Sequence, residues 1–223
     1  MPPCHNIITA PSQVDAMSKI IAITSQKGGA GKTTLALALA GEAVAAGKCT
    51  VLIDLDPQAS AAVWSDGRGS EAPIVEAVPY TRLGKALDEA RQIADLIILD
   101  TAPHAEAPAL AACRAADIIL IPCRPNFLDV MAIQTTVDMV GMAGKRPVIV
   151  FGQVRPNASR ATADATAALA GAAVDICPHV ISSRADFADA TTVRQTVREH
   201  APSSKAAGEA DAIAKWVFAR LGL

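Results

Sequence analysis

A glycine- and lysine-rich segment at residues 26–34, Gln-Lys-Gly-Gly-Ala-Gly-Lys-Thr-Thr, constrains the fold of this chain more than any other feature. An apolar run at 20–23 precedes it, and a run of alternating Leu and Ala at 35–40 follows it. Such runs are typical of a strand and a helix. The glycines between them let backbone N–H groups and the helix N-terminus converge on phosphate oxygens. The segment therefore predicts a phosphate-binding loop between a strand and a helix.

The side chains of this loop match the parts of a nucleoside triphosphate. Lys32 is placed to reach the β and γ phosphates, and the Thr33 hydroxyl is placed to ligate Mg²⁺. The loop therefore predicts ATP or GTP, together with Mg²⁺, as cofactors. The predicted nucleotide-binding residues are Lys27, Gly28, Gly29, Ala30, Gly31, Lys32, Thr33 and Thr34.

The loop departs from the common P-loop pattern, because Gln26 stands where that pattern has glycine and a second lysine follows it. Lys27 lies on the rim of the cradle, where it need not contact the phosphates of its own subunit. The segment resembles the deviant Walker A motif, Lys-Gly-Gly-x-Gly-Lys-Thr, of the ParA/MinD family of ATPases. The resemblance implies ATP as the nucleotide. It also implies that Lys27 reaches across a dimer interface to the nucleotide held by the partner.

Two further segments end in acids where a nucleotide site needs them. Residues 50–56 form a β-rich run ending at Asp54 and Asp56, and residues 95–100 form another ending at Asp100. Ligands of open α/β sheets lie at the carboxyl ends of the strands, so we expect these acids to converge beside the loop. For Asp54, support of the metal and a plain cap at the strand end remain alternatives.

The resemblance also implies roles for these acids. Asp56, in Asp-Leu-Asp-Pro-Gln, belongs to switch I and orients or activates the attacking water. Asp100 looks like the Walker B acid, which acts on Mg²⁺ through its water shell. The predicted catalytic residues are therefore Lys27, Lys32 and Asp56. The predicted metal-site residues are Thr33, Asp56 and Asp100.

The alternation of segments predicts an α/β fold of the P-loop NTPase type, a doubly wound and mainly parallel sheet with helices on both faces. With 223 residues, of which 51% are hydrophobic, the chain is long enough to bury such a sheet. Strands are predicted at 19–24, 49–54, 73–78, 95–100, 117–122, 147–154 and 173–178. Helices are predicted at 32–46, 59–65, 81–93, 106–115, 128–143, 158–171 and 203–221.

The first sixteen residues do not fit this pattern. They have neither periodicity nor a long apolar segment, so a secretory signal is not expected. We interpret residues 1–16 as a disordered leader or an extraneous N-terminus, and residues 17–223 as a single P-loop ATPase domain.

The cysteines allow two interpretations. Cys4, Cys49, Cys113, Cys123 and Cys177 include no Cys-x-x-Cys pair, so buried, reduced thiols are the default. Relatives in the family hold an iron–sulfur cluster at a subunit interface, and Cys113 with Cys123 is the alternative pair for such a cluster.

The resemblance to small, single-domain ParA-type proteins extends from about residue 19 to the end. Residues 100–105 resemble switch II, and residues 116–125, with Asp129 shortly after, resemble the strand and turn that follow it. Segments at 183–190, 196–199 and 204–209 resemble the C-terminal third of the family. One departure lies at 151–154, where relatives often place an Asn against the adenine. Gly152 takes its position here, and Gln153 is the candidate substitute.

The ParA resemblance implies an ATPase that dimerises around ATP, binds DNA without sequence preference, and releases it when a partner stimulates hydrolysis. The implied partners are a second copy of the chain, non-specific double-stranded DNA, and a cargo adaptor such as a ParB-like or centromere-binding protein. The implied location is the cytoplasm, with nucleoid association in the ATP state. The cargo is a plasmid, a chromosome region or a protein cluster.

The net charge of −2 confines any DNA contact to a local patch. Basic residues concentrate in the C-terminal third, although acids are interleaved with them, and solvated surface charge is the alternative interpretation. The predicted DNA-binding residues are Arg184, Arg194, Arg198 and Lys205.

Two rival functions remain open at this stage. A MinD-like, membrane-associated regulatory ATPase would use the segment 212–223, where Ile213, Trp216, Val217 and Leu221 share one face of a helix. Packing of that face onto the sheet is the alternative, and membrane attachment is not expected. The other rival is a metabolic P-loop enzyme, which needs a substrate pocket with its own acid–base residues.

Overall fold

The computed structural model of the chain describes residues 18–155 and 158–223. The predicted leader at 1–16 lies outside the described residues and stays a prediction. The described residues contain one sheet, in which all neighbouring strands are parallel. Its strands are β1 (Lys19–Ile23), β2 (Thr50–Asp54), β3 (Ile74–Ala77), β4 (Leu96–Asp100), β5 (Ile118–Cys123), β6 (Val148–Phe151) and β7 (Asp175–Ile176).

Helices cover both faces of this sheet. They are α1 (Lys32–Ala45), α2 (Ser60–Ser65), α3 (Leu83–Ala90), α4 (Glu106–Ala115), α5 (Phe127–Ala132), α6 (Gln134–Met142), α7 (Ser159–Ala168), α8 (Ala185–Thr192), α9 (Val197–His200) and α10 (Lys205–Leu221), with a 3-10 turn at Tyr80–Arg82. Apolar residues of α3 to α7 form the core on one face, and those of α1, α2 and α10 form the core on the other. The predicted fold class, a doubly wound parallel sheet, is confirmed.

Strands β1, β2, β4, β5 and β6 are almost uninterrupted apolar runs because both of their faces are buried, whereas the edge strands β3 and β7 are largely exposed. In β1, Ile20 and Ala22 pack into one core, whereas Ile21 and Ile23 pack into the other. The strand order is β3-β2-β4-β1-β5-β6-β7, so the chain crosses to opposite sides of β1. This reversal opens a crevice at the carboxyl end of β1, where ligands bind in sheets of this kind. The glycine-rich loop lies at that position.

Most predicted elements agree with the structure to within a few residues. The predicted strand at 147–154 ends earlier, at Phe151, and Val154 makes only an isolated bridge with Ser182. The predicted helix at 128–143 is divided at Ile133, whose backbone remains right-handed helical, so no loop separates α5 from α6. The sequence analysis did not predict α8 and α9.

The C-terminal helix packs onto the domain. In α10, Ile213, Val217 and Leu221 are buried in the core that also contains α1, and Trp216 packs partly against it. Ser204 caps the start of this helix by accepting a hydrogen bond from the Ala207 amide. The apolar face proposed by the membrane-associated alternative is therefore occupied by the core. No helix in residues 18–155 or 158–223 is long and apolar enough to cross a membrane.

Candidate nucleotide site

The loop between β1 and α1 has the geometry of a phosphate cradle. Gly29 and Gly31 adopt φ values of +67° and +97°, and Gly31 stands immediately before the first turn of α1. These left-handed conformations disfavour side chains, and they turn the loop so that the N-terminus of α1 faces the cradle. Lys32 is buried, and its Nζ lies 3.4 Å from the carbonyl oxygen of Lys27. Burial lowers the pKa of Lys32, while Asp100 and Asp56 oppose that shift.

Asp100 and Thr33 form the candidate Mg²⁺ site beside the cradle. The register pairs Asp100 with Ile23 at the end of β1 and with Asp54 at the end of β2. The Thr33 hydroxyl donates to Asp100 Oδ2 at 2.6 Å, whereas Asp100 Oδ1 is buried without a hydrogen-bond partner. An unpartnered buried carboxylate oxygen is costly unless a ligand or its water satisfies it. These oxygens fit Mg²⁺, which keeps several waters and takes few protein ligands.

Burial raises the pKa of Asp100 to about 7, and the nearby charges of Asp54 and Asp56 add to this shift. The Thr33 hydroxyl and Lys32 oppose it. A bound divalent cation would favour the ionised carboxylate, because an adjacent positive charge stabilises the charged form. The charge of Asp100 would therefore be coupled to a metal bound at this site.

Asp54 is a cap in this structure. Its carboxylate accepts hydrogen bonds from the amides of Asp56 and Ala61 at 3.0 and 2.8 Å. Burial raises the pKa of Asp54, and these amide donors oppose the rise. Its carboxylate therefore fixes the turn after β2 and the start of α2. Of the two alternatives for Asp54, the geometry favours the cap.

Asp56 lies on the turn that Asp54 organises. It is half-buried, and its Oδ1 accepts a hydrogen bond from the Gln58 amide at 2.9 Å. Its charge acts on both Lys32 and Asp100, which places it beside the cradle. The structure thus brings together Lys32, Thr33, Asp56 and Asp100, as the sequence predicts, while their catalytic and metal roles stay predictions.

The Lys27 side chain pairs with a residue that the sequence analysis did not assign to the site. Its Nζ forms an ion pair with Oδ1 of Asp129 in α5. The Asp129 side chain is only 5% exposed, whereas Lys27 is 43% exposed. Asn126 caps α5 by accepting from the Asp129 amide, and its own amide donates to Asp129 Oδ2 at 3.2 Å. Lys27 is therefore held at the rim of the cradle by the buried carboxylate of Asp129.

Two side chains from neighbouring strand ends hold the loop itself. Arg124 Nη2 and Gln153 Nε2 both donate to the carbonyl oxygen of Gly29, each at 2.8 Å. Gln153 adopts a positive φ of 52°, which is uncommon for a residue with a side chain. On the opposite side, the Gln26 amide donates to the Thr136 hydroxyl at 3.2 Å. These contacts fix the loop from β5, β6 and α6.

The four cations predicted to bind DNA are not equivalent. Arg198 Nη2 lies 2.5 Å from Glu42 and 3.2 Å from Asp211, and Arg184 Nη2 lies 2.6 Å from Glu209. The side chains of Arg194 and Lys205 are exposed. The carbonyl of Arg194 accepts from Arg68, which fixes the backbone there and leaves the guanidinium on the surface.

A cavity of about 760 Å³ lies beside β6, between α7 and the start of α10. Its lining is mostly apolar, and the titratable side chains among its lining residues are Arg155, Arg184 and Lys205. No carboxylate or imidazole is among these described lining residues. The cavity therefore offers anion-binding groups and no acid–base pair.

Three of the described cysteines are buried thiols. Cys113, Cys123 and Cys177 are buried, Cys49 lies on the surface, and Cys4 lies outside the described residues. Burial raises the pKa of both Cys113 and Cys123 to about 11. No group of three or more His, Cys, Asp or Glu side chains within residues 18–155 and 158–223 is arranged to hold a metal.

Curated relatives cover part of this chain. Maintenance of carboxysome distribution protein A from Gloeobacter kilaueensis is 37% identical over 122 residues, which make up 53% of this chain and 55% of the relative. The sporulation initiation inhibitor protein Soj from Bacillus subtilis is 39% identical over 107 residues, 48% of this chain and 40% of the relative. The chain spans about half the length of the curated relatives that it matches.

Solved structures of similar fold cover almost the whole chain. The ATP complex of a Cyanothece McdA variant superposes with a TM-score of 0.73 at 18% identity, over 93% of this chain and 97% of that one. The Mg-ADP complex of MinD from Pyrococcus horikoshii superposes with a TM-score of 0.70 at 19% identity, over 90% and 96%. At these identities the likeness shows the fold. The predicted cofactors, ATP and Mg²⁺, agree with the ligands named for these two complexes.

The model of one protein family matches most of the domain. The family is described as the CobQ/CobB/MinD/ParA nucleotide binding domain, and it matches residues 21–197, from β1 to α9. This match includes the loop, both acidic strand ends, and the segment with Arg124, Asp129 and Gln153. The predicted relationship to the ParA/MinD ATPases is confirmed: this chain belongs to the CobQ/CobB/MinD/ParA nucleotide-binding family.

Proposed function

We propose that this chain is a ParA-like ATPase that dimerises in ATP, binds DNA of any sequence, and partitions or positions a cargo through partner-stimulated hydrolysis of ATP to ADP and phosphate. The observation that carries the proposal is that the side chains of the two loop lysines differ in burial and in partner. Lys32 lies buried in the cradle, whereas Lys27 is half-exposed on its rim and pairs with Asp129. A lysine at the rim serves a nucleotide outside its own subunit.

The surface around Lys27 supports dimerisation. Phe127, Leu128 and Met131 are 75%, 74% and 62% exposed, and they belong to the same short helix as Asp129. Exposed apolar clusters of this kind are typical of interaction sites. A second subunit that brought its nucleotide within reach of Lys27 would also cover this helix. The proposed dimer therefore accounts for both the rim lysine and the apolar cluster.

The arrangement of acids supports hydrolysis. In the proposed cycle Lys32 and the loop amides would hold the β and γ phosphates, and Thr33 and Asp100 would hold Mg²⁺, which would neutralise charge on the phosphates. Asp56, on the turn beside the cradle, orients the attacking water. Lys27 of one subunit stabilises the charge that develops on the γ phosphate of the other.

DNA binding, the partner and the location are the finer parts of the proposal. Arg155, Arg184 and Lys205 line one cavity, and Arg194 lies exposed in the same third of the chain. Dimerisation would double this modest patch and make DNA affinity depend on ATP. The partner is a ParB-like or other adaptor protein that stimulates hydrolysis. The location is the cytoplasm, at the nucleoid in the ATP state.

The two rivals have less support. The packing of Ile213, Val217 and Leu221 in α10 removes the apolar face that membrane attachment would use. For a metabolic enzyme, the cavity beside β6 offers cations without an acid–base pair among its described lining residues. The ParA-like proposal uses both loop lysines and therefore accounts for more of the site.

An Asp56→Ala variant tests the proposal, because loss of the water-positioning group spares the ground-state contacts to phosphate. We expect it to bind ATP and Mg²⁺, to form a stable dimer in size-exclusion chromatography, and to hydrolyse ATP about 10²–10⁴-fold more slowly. Asp66→Ala, which removes an exposed carboxylate after α2, is the matched control and should behave like the parent.

The trapped dimer then separates the candidate functions. Its retention on random-sequence DNA and on anionic liposomes is measured in ATP at low and moderate salt. Retention on DNA supports the proposal, whereas retention on liposomes alone supports a MinD-like ATPase. A monomer in ATP, or turnover equal to that of the parent, would contradict the role of Asp56.

A further inference from the structure

Asp129 is a buried carboxylate with two cations beside it. Lys27 Nζ pairs directly with Oδ1, and Arg124 Nε lies 3.8 Å from Oδ2. The 3.8 Å separation is longer than a hydrogen bond, so the carboxylate is paired mainly with Lys27. Asn126 supplies a neutral contact to Oδ2. Asp129 therefore depends on Lys27 for its counter-charge in this state.

One hydrogen-bond donor of Arg124 makes no hydrogen bond. Its Nη2 donates to the Gly29 carbonyl at 2.8 Å, which anchors the guanidinium on the phosphate-binding loop. Its Nε is buried and has no hydrogen-bond partner. A buried donor without a partner is costly, and here it lies next to a carboxylate that is already occupied. A small movement would bring the two together.

We infer that Arg124 replaces Lys27 as the counter-ion of Asp129 when Lys27 crosses to the nucleotide of the partner subunit. The inference rests on the proposed ATP-dependent dimer. Departure of Lys27 alone would leave a buried carboxylate without a charged partner, which is strongly unfavourable. Arg124 Nε gives up no other bond in taking its place, and a guanidinium suits a carboxylate.

The consequence is that Arg124 sets how readily Lys27 is released. It is a positioning residue, because it acts on Asp129 and the loop. Without its guanidinium, Lys27 would stay paired within its own subunit, and the dimer would lose the contact that Lys27 makes to the partner's nucleotide. The monomer would still bind nucleotide, because Lys32 and the loop amides are retained.

The test compares Arg124→Gln with the parent in two assays. For Arg124→Gln in ATP and Mg²⁺, we expect the dissociation constant of the dimer to rise about tenfold, which corresponds to ~1.4 kcal/mol. The variant dimer should also dissociate at about tenfold lower concentration of competing ADP. Affinity of the monomer for a fluorescent ADP is measured alongside, and it should change no more than in Gln153→Ala, which loses the other donor to the Gly29 carbonyl. Arg124→Lys keeps the charge near Asp129 and should recover part of the dimerisation.

A second background isolates the counter-ion role. In Asp129→Asn, no buried charge remains when Lys27 leaves, so adding Arg124→Gln should have little further effect on the dimer. The effects of the two substitutions on the dimer should therefore not be additive. Gln153→Ala is the matched control, because it removes the other donor to the Gly29 carbonyl and leaves Asp129 untouched. Both variants are measured at saturating ATP, because Gln153 is also the candidate contact to adenine, and Gln153→Ala should then not reproduce the dimer defect.

Each remaining outcome overturns the inference. An Arg124→Gln dimer as tight as that of the parent, a defect of equal size in the Asp129→Asn background, or an equal defect in Gln153→Ala would do so. Loss of the dimer in Asp129→Asn alone would do so as well. If the parent itself forms no dimer in ATP, the proposed function fails and the inference fails with it.

Discussion

The P-loop region and the C-terminal third both concentrate charged residues, yet among the described residues of these two regions only the P-loop region has buried charged groups without hydrogen-bond partners. Around the loop, Asp100 Oδ1 and Arg124 Nε are buried without hydrogen-bond partners. In the C-terminal third, Arg198 and Arg184 are held by Glu42, Asp211 and Glu209. The density of charge along the sequence is therefore a poor guide to binding. Buried groups that lie close together without hydrogen-bond partners are a better guide to a binding site.

The charged groups of the two regions also contribute differently, to ligand binding in the first region and to stability in the second. Groups around a ligand site are left incompletely paired, and a ligand supplies the missing contacts. Groups in the C-terminal third are paired with each other and hold α8 to α10 against α1. Substitutions in the first region should change binding with little effect on folding, and substitutions in the second should do the reverse.

The two loop lysines give the largest expected effects. Lys32→Ala should lose about 10²-fold or more in nucleotide affinity, because each hydrogen bond to a charged group contributes about 1.5–3 kcal/mol. Lys27→Ala should retain ATP binding while losing the ATP-dependent dimer and hydrolysis. Calorimetric titration and sizing measure these effects. Lys85→Ala, on the exposed face of α3, is the control.

An equal loss of ATP affinity in both lysine variants would contradict the different roles assigned to Lys27 and Lys32. It would mean that Lys27 contacts the nucleotide of its own subunit. The assignment of Lys27 to the partner's nucleotide would then be wrong.

Arg198 gives the largest expected effect on folding in the C-terminal third. Arg198→Ala leaves the buried Glu42 carboxylate without its partner, so the free energy of unfolding should fall by about 2 kcal/mol, less than for a fully buried pair because Arg198 is 30% exposed. Denaturant unfolding measures the change. Lys215→Ala, which removes an exposed partner of Asp211, should change stability by less than about 0.5 kcal/mol.

Unchanged stability in Arg198→Ala, together with a large loss of DNA binding, would reverse the comparison. Arg198 would then serve DNA, and its pairing with Glu42 would contribute little to the fold. The sequence analysis assigned Arg198 to DNA, so this experiment tests that prediction directly.

Asp100 makes the nucleotide site sensitive to pH. Its raised pKa, about 7, means that the folded protein binds more protons than the unfolded chain between about pH 4 and 7. Without Mg²⁺, the contribution of Asp100 to the free energy of unfolding should therefore decrease as the pH rises through this window. Mg²⁺ needs the ionised carboxylate, so its apparent affinity should fall by up to about tenfold per pH unit below 7.

Titration of Mg²⁺ into the ADP complex at several pH values measures this effect. The nucleotide has a pH dependence of its own, and Asp100→Asn provides the baseline for it. A parent protein whose Mg²⁺ affinity follows the same pH curve as Asp100→Asn would contradict the coupling of Asp100 to the metal.

The sequence was sufficient for the central features because short-range patterns determine them. Apolar runs ending in Asp54 and Asp100, and the glycines before Lys32, specify parallel strands and a phosphate loop. The shared edge of the sheet then brings these residues together whatever the rest of the chain does. The end of α1 at Ala45, shortly before Gly47 with its φ of +77°, follows from the same local chemistry.

Long-range contacts were less predictable. Asp129 and Thr136 lie off the apolar stripe of Val130, Ile133 and Val137, yet both are buried because they contact the phosphate loop more than a hundred positions away. No local pattern distinguishes them from solvated residues. The short helix α9 did have a local signal, since Thr196 and Glu199 form a capping box.

DNA binding gives the smallest effect for a single substitution, and it tests whether any cation in the C-terminal third is available to a ligand. Arg194 and Lys205 are exposed, so an ATP dimer would present about four such cations, and the slope of log affinity against log salt should be about −4. Lys205→Ala removes two contacts per dimer and should flatten the slope by about two units. Arg198→Ala should leave the slope unchanged, because Glu42 and Asp211 already neutralise that guanidinium. Binding of the trapped Asp56→Ala dimer to random-sequence DNA at several salt concentrations measures all three slopes. If Arg198→Ala flattens the slope as much as Lys205→Ala, charges paired within the fold also serve the ligand, and the distinction between the two regions fails.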